Sequence, residues 1–464
     1  MATILLFLLS AVVLSSDSVL SQQQLLSVRS HAQLRKIYAS NYDWDQVVDK
    51  DLRNVSSYVA TVSDYSEQKL PERVLHGAGT GARGYFQVTH DITNLSHACV
   101  FQSQGKNISV LARFSMAGPH RNKPDSDQDA RGLAVRFFTD CGNWDVVSNT
   151  LVFFFRDAVS FAPDYLHALV SGDSAKVWDL RASHPESAHR VVKQFSYLGT
   201  PSTYRHIDTS AAHTFKLVSS SGTETYARFH FISEQGARYN NISIASQLSK
   251  ANPKHAHDDL RDSIARGEFP SWKLMIQTMP VDNNVTFDPF DSTHLWPRED
   301  FPYQPVGRIV LTENVKDNTQ EVEAVAFNPG NLIPGIEPSK DPLFAYRVFA
   351  YYQMQRNRLG PDFRQLYPVN APARDFSKLK MPTIDENVLT DGTSGPECTL
   401  RQLSKWYQGR AEEEQKQIAQ LATVGLAGIP AEVKERLVAA TYDKVDPTLG
   451  SAVRNARVGA HAKG

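Results

Sequence analysis

The sequence predicts an α+β protein: an antiparallel β-barrel core with an N-terminal arm before it, and a long wrapping segment and a C-terminal helical domain after it. Three observations carry that prediction. Between about residue 85 and residue 310 the chain breaks into short runs that alternate apolar and polar residues with period two. From 311 to 395 it becomes rich in Pro, Gly and Asn and loses periodicity, as in AFNPGNLIPGIEPSKDP. From Thr399 onward the spacing turns helical.

Taken in order, residues 1–21 read as a signal peptide. An apolar run from Ile4 to Leu14 precedes small and polar residues, and Val19-Leu20-Ser21 is an acceptable cleavage site, although the first residues lack a Lys or Arg. The run is too short to span a bilayer, and nothing later is long and apolar enough, so no membrane partner is expected. Residues 22–70 are polar and form the arm, with a helical piece around Val28 to Leu34.

The core, 71–310, contains ISVLARFS at 108–115, LAVRFFT at 133–139, HTFKLV at 213–218, ARFHFIS at 227–233 and WKLMIQTM at 272–279, with a helical insertion near 163–200. Many short strands joined by turn residues favour a sheet that closes on itself. In the last unit, 396–464, Leu400, Leu403 and Tyr407, then Ile418 and Leu421, then Val433 and Leu437 share helical faces, punctuated by Gly425, Gly428 and Pro430.

At 464 residues with 41% hydrophobic content the chain can bury a large core. Its 49 basic and 50 acidic residues nearly cancel, so bulk charge draws it toward neither nucleic acid nor an anionic membrane. Sequons at Asn54, Asn94, Asn107, Asn241 and Asn284 agree with a secreted glycoprotein. Cys99, Cys141 and Cys398 have no metal-ligand spacing; one pair can be bridged, which leaves one thiol over.

Three segments hold residues suited to chemistry. RVLHGAGTGARGYFQVTHDI, from Arg73, sets His76 before a glycine-rich turn and a strand; its glycines make no phosphate loop. DARGLAVRFFTDCGNWDVVSNTLVFFFRD, from Asp129, places Asn149 among apolar neighbours, beside Phe153, Phe154, Phe155 and Phe161, which suit a core or the wall of a flat apolar cofactor. YRVFAYYQMQRNRLGPDF, from Tyr346, has Arg347 and Tyr351 four apart and Arg358 two helical turns on. An arginine beside a tyrosine favours phenolate, a hard ligand for ferric iron. Each segment alone also fits a structural role: a turn histidine, a hydrogen-bonded core asparagine and an amphipathic helix.

In this order the segments resemble the haem site of monofunctional catalases, whose iron is held by tyrosine. PVGRIVLTEN at 305–314, NPGNLIPGIEPS at 328–339 and RLGPDF at 358–363 extend the resemblance over nearly the whole chain after the leader. It implies a catalase fold, haem b as cofactor, and disproportionation of hydrogen peroxide to water and oxygen. It implies His76 as the distal base supported by Ser115, Asn149 holding peroxide, and Tyr351 as the iron ligand with Arg347 beside it. Arg73, Arg113 and Arg358 would meet the propionates, and Phe161, Phe153 and Phe154 would pack on the ring. Members of the family are commonly homotetramers.

The sequence departs from the family at several points. Its Val-Val-Ser-Asn-Thr-Leu stretch lacks one residue beside the catalytic asparagine, so displacement of Asn149 is one expectation. Tyr352-Gln353-Met354 replaces Pro-Asp-Thr, Gln355 replaces a histidine, and Leu75 tightens the gate before His76. Leu198 and Ile232 replace the nucleotide-binding cations although His189 is kept, so NADPH is expected to bind weakly or not at all. The end, His-Ala-Lys-Gly, is not a peroxisomal address. Two other readings stand beside the first: a catalase-fold peroxidase acting on organic peroxides, and a haem-binding protein without turnover.

Overall fold

A computed structural model describes residues 71–102, 104–150, 152–156, 162–282, 284–370 and 396–455, together with Ser63 and Ser66. The leader, nearly all of the expected arm, and Phe161 lie outside the described residues.

Nine strands build the barrel: β1 Gly79–Val88, β2 Asn107–Met116, β3 Arg131–Thr139, β4 Gly142–Asn149, β5 Thr209–Ala211, β6 Phe215–Val218, β7 Glu224–Ser233, β8 Ser271–Pro280 and β9 Gln304–Asn314. β1 to β4 form a meander, β7 to β9 continue antiparallel, and β9 returns to β1. β5 and β6 lie end to end along one edge of β7, so they fill a single strand position and the sheet closes on eight. Closure removes the exposed edges that an open sheet leaves. The last strand runs to Asn314, past the expected boundary at 310.

The interior is aromatic. Phe137 stacks on Trp144 at 4.5 Å between ring centroids, Phe86 meets Phe137 edge-on at 5.2 Å, and Trp144 meets Phe229 edge-on at 5.2 Å. Gly84 is required where β1 shifts register against β9: a Cβ there would lie 1.9 Å from the Val310 carbonyl oxygen.

Helices α1 Ala162–Ser171, α2 Ser174–Ser183 and α3 Ala188–Gln194 form the expected insertion. A second insertion, α4 Ile242–Ala251 and α5 His255–Ala265, lies in a polar stretch for which the sequence predicts no helix. The wrapping segment contains α6, Pro342–Leu359, and the chain continues as α7 Pro396–Gln408, α8 Glu412–Gly425, α9 Ala431–Leu437 and α10 Pro447–Asn455. These last helices have no core of their own. Leu403, Tyr407, Ile418, Val433 and Leu437 pack in one cluster with Trp178, Val191, Val192 and Phe195 of the first insertion and the turn after it.

The wrapping segment is fastened to the outer face of β3 and β4 by a fully buried ion pair. Arg136 donates from Nε and Nη2 to the two oxygens of Asp145, at 2.7 and 2.6 Å. The same guanidinium reaches the carbonyls of Ala326 and Val369, and Asp145 accepts from the Asn328 backbone and from Asn331 Nδ2. Bidentate geometry and satisfied outer atoms offset the desolvation of both charges. Removing one partner strands the other: Asp145→Ala should cost about 3–5 kcal/mol of stability, checked by denaturant unfolding.

Candidate functional site

Strand register assembles one side of the site. Ser115 of β2 pairs with Gly132 of β3, which pairs with Asn149 of β4, so the three lie in a row across the sheet. The next row on that face is Arg113, Ala134 and Val147. These outward residues alternate with Phe114, Leu133 and Val146, which belong to the core cluster.

His76 lies against the first row. Its Nδ1 is 2.9 Å from Ser115 Oγ, and a Cβ on Gly132 would lie 2.8 Å from the ring's Cε1 and Nδ1. Position 132 therefore has to be glycine for the imidazole to sit where it does. The backbone of His76 is left-handed, with φ of 57°, at a residue with a full side chain. Such a conformation costs of order 1–3 kcal/mol and persists where neighbours enforce it. Here Arg113 Nη2 donates to the His76 carbonyl at 2.8 Å, while the His76 and Gly77 amides donate to the carbonyls of Ala117 and Gly118. Burial, helped by Arg113, lowers the His76 pKa to about 3.

α6 supplies the opposite side. It starts at Asp341, whose Oδ1 accepts from the Leu343 and Phe344 amides, with Pro342 at the first helical position. Burial pushes Asp341 up to about 7, against the Thr214 amide that donates to it. One turn in, Arg347 Nη2 donates to Tyr351 Oη at 2.9 Å, as the four-residue spacing predicts. Arg347 Nη1 lies 3.0 Å from Nδ1 of His213. Burial and Arg347 hold that imidazole well below its usual pKa, so it is neutral and available to accept.

Three arginines gather at one end. Arg73 Nε and Arg113 Nε donate to the two oxygens of Glu323, at 2.6 and 3.0 Å, and Arg358 Nη1 donates to the Glu323 carbonyl at 2.5 Å. Burial alone would raise the Glu323 pKa; Arg113 and Arg73 reverse that and hold it at about 2. Burial and Arg73 together lower Arg358 to about 8. One carboxylate thus pairs with two guanidiniums, Arg358 meets only the backbone carbonyl of the same residue, and the surplus positive charge suits a further anion.

Between these groups is a cavity of about 320 Å3. His76, Ser115, Asn149, Arg73, Arg113, Arg347, Tyr351, Arg358, Phe153 and Phe154 all border it, so every described residue that the resemblance assigns to the haem site meets there. Asn149 keeps its place at the end of β4 despite the shortened stretch, because its register with Gly132 is intact. Leu75 and Gln355 also line the cavity, and Gln355 Oε1 accepts from Arg358 Nη2 at 2.6 Å. Gln353 faces elsewhere and donates to Ser63 Oγ at 3.1 Å. Gly132, Glu323, Asp129, Arg181 and Arg190 were missed in the sequence. Only Gly132 left a signal there, as a small residue one step before a β run.

A barrel bearing a buried histidine and asparagine on one side of an apolar cavity, and an arginine-held tyrosine on the other, defines a class of tyrosine-bearing pocket. A statistical description of the catalase family matches residues 51–395, and the chain belongs to that family. It is 42% identical over 322 residues to the catalase of Mus musculus, a match spanning 68% of this chain and 61% of the mouse protein. With the catalase of Drosophila melanogaster it shares 40% over 325 residues, 68% of this chain and 64% of that protein. Among solved structures, catalase A from Saccharomyces cerevisiae superposes with a TM-score of 0.74 at 29% identity, over 85% of this chain and 91% of that one. A fungal catalase gives 0.75 at 30%, over 85% and 88%.

With its pKa at about 3, His76 is neutral above that pH and charged only below it. Nitrogen NMR of the ring should therefore show no protonation between pH 4.5 and 9, and a midpoint near 6.5 would contradict the burial.

Proposed function

We propose that this chain binds haem b in the cavity and disproportionates hydrogen peroxide, two molecules yielding two of water and one of oxygen. The observation that carries this reading is the placement of His76, Ser115 and Asn149 on one wall and the Arg347–Tyr351 pair on the other, around one cavity.

The residues fit haem on chemistry internal to the chain. Phe153, Phe154, Ala134, Val147, Leu343 and Ala350 give the cavity apolar walls for a flat ring. The surplus charge of Arg73, Arg113 and Arg358 over Glu323 suits propionates. Tyr351 would ligate the iron, with the Arg347 guanidinium as a fixed positive charge against its oxygen. Phe161, outside the described residues, would join Phe153 and Phe154 on the ring. Haem, when bound, supplies the redox-active iron that exchanges two electrons with each peroxide.

The remaining work falls to protein groups. With Nδ1–H donated to Ser115 Oγ, His76 presents Nε2 as a lone pair. That nitrogen takes the proton from one peroxide oxygen and delivers it to the other, which leaves as water. Its low basicity favours release over retention. Asn149 holds peroxide beside the imidazole, and in the second half-reaction the same two residues guide the protons of the second peroxide. Apolar walls limit entry of bulk water.

The chain is further read as a secreted glycoprotein and homotetramer. A disulfide joins Cys99 to Cys141, which suits an oxidising compartment. The four described sequon asparagines, Asn94, Asn107, Asn241 and Asn284, are all exposed. NADPH stays outside the scheme, since Leu198 and Ile232 bring no charge to its expected site.

The experiment is oxygen release on adding hydrogen peroxide to haem-loaded protein. His76→Ala should lower the rate by at least about 100-fold with the haem absorption retained. Tyr351→Phe should lose haem itself. Normal turnover in His76→Ala would overturn the proposal.

A further inference from the structure

Two buried arginines on the same cavity take no part in the scheme above. Arg181, in the last turn of α2, and Arg190, in α3, are 9% and 6% exposed, and both border the cavity that holds His76. Arg181 Nη2 donates to Tyr165 Oη at 2.6 Å, and its guanidinium lies over the Trp178 ring at 4.6 Å. Arg190 donates from Nε to Gln194 Oε1 at 3.4 Å and from Nη1 to the Val152 carbonyl at 3.1 Å. All of these partners are neutral. Among the described residues no carboxylate lies within ion-pair distance of either guanidinium.

Asp129 is the acid whose field reaches Arg190, but its carboxylate is already committed. Oδ2 accepts from Lys123 Nζ at 3.0 Å and from the Gly118 amide at 2.9 Å, and Oδ1 accepts from the Ala130 amide at 2.8 Å. Burial and, in smaller part, Arg181 lower the Arg190 pKa to about 10, so the cation remains at neutral pH and is poorly compensated. Two desolvated like charges are costly unless an anion meets them.

We propose that Arg181 and Arg190 form a subsite in the cavity wall for the carboxylate of a small ligand with a short apolar chain. The wall beside them supplies the apolar half: Phe154, Phe155, Leu166 and Leu169 line the same cavity, and Phe154 packs against Tyr165 at 4.7 Å. A guanidinium fork matches the two oxygens of a carboxylate, and Phe155, Leu166 and Leu169 give a short chain an apolar contact. The subsite does not rest on the haem reading, because its donors and its apolar wall belong wholly to the protein.

Calorimetric titration of the protein, with and without haem, tests it, with butyrate as probe, butyramide as the neutral ligand of the same shape, and chloride as an inorganic competitor. Butyrate should bind at least about tenfold more tightly than butyramide, the size of effect expected of a charged hydrogen bond. Arg190→Gln and Arg181→Gln, each verified as folded by circular dichroism, should each remove most of that preference. Equal binding of butyrate and butyramide by the unaltered protein overturns the subsite, whatever becomes of the variants. A preference that survives both substitutions overturns it too, since butyrate would then be held elsewhere. Displacement of butyrate by equimolar chloride overturns the commitment to a carboxylate with an apolar chain.

Discussion

The fully buried Arg136–Asp145 pair is the constraint on which the site depends. It stands on the same outward face of β3 and β4 as the row of Ser115, Gly132 and Asn149, and its remaining hydrogen-bonding capacity is spent on the wrapping segment. Because the segment is held there, Val325 and Phe327 cover Leu111 and Val147. The chain then leads into α6 with Tyr351 facing the barrel wall. A barrel wall and a helix far apart in sequence thus become two sides of one cavity. Electrostatic attraction does not by itself stabilise such a pair; its geometry specifies where the segment lies.

From that placement the site follows by register. A strand shifted by one residue would turn Ser115, Gly132 and Asn149 inward and bring Phe114 to the cavity. The strained backbone at His76 is tolerated because Arg113 grips its carbonyl while also binding Glu323. Arg113 therefore couples the histidine's conformation to the arginine cluster.

Much of the fold was legible because barrel strands alternate: the runs at 108–115, 133–139, 227–233 and 272–279 each fall within an observed strand. The break between β5 and β6 and the helices at 242–265 were not, since a three-residue strand leaves no period and α4 and α5 sit in a polar, Asn- and Asp-rich stretch. In the site, Arg347 and Tyr351 were readable as a local pair, and His76 and Asn149 through family resemblance. Glu323, Asp129, Arg181 and Arg190 were not, because their significance comes from burial and from partners remote in sequence. A charged residue in an amphipathic run looks solvated until packing shows otherwise.

The core shared by the first insertion and the last helices bears on how the protein comes into being. Trp178, Val191, Val192 and Phe195 are synthesised long before the side chains that cover them, Leu403 to Leu437. An apolar surface on α2 and α3 therefore stays open on the nascent chain until the later helices have been made, a long-range contact of the kind that slows folding and invites aggregation. A chain interrupted before α7 would carry a complete barrel with that sticky face uncovered. Chains that carry the later helices hide the surface, and chains that lack them would expose it to chaperones and proteases.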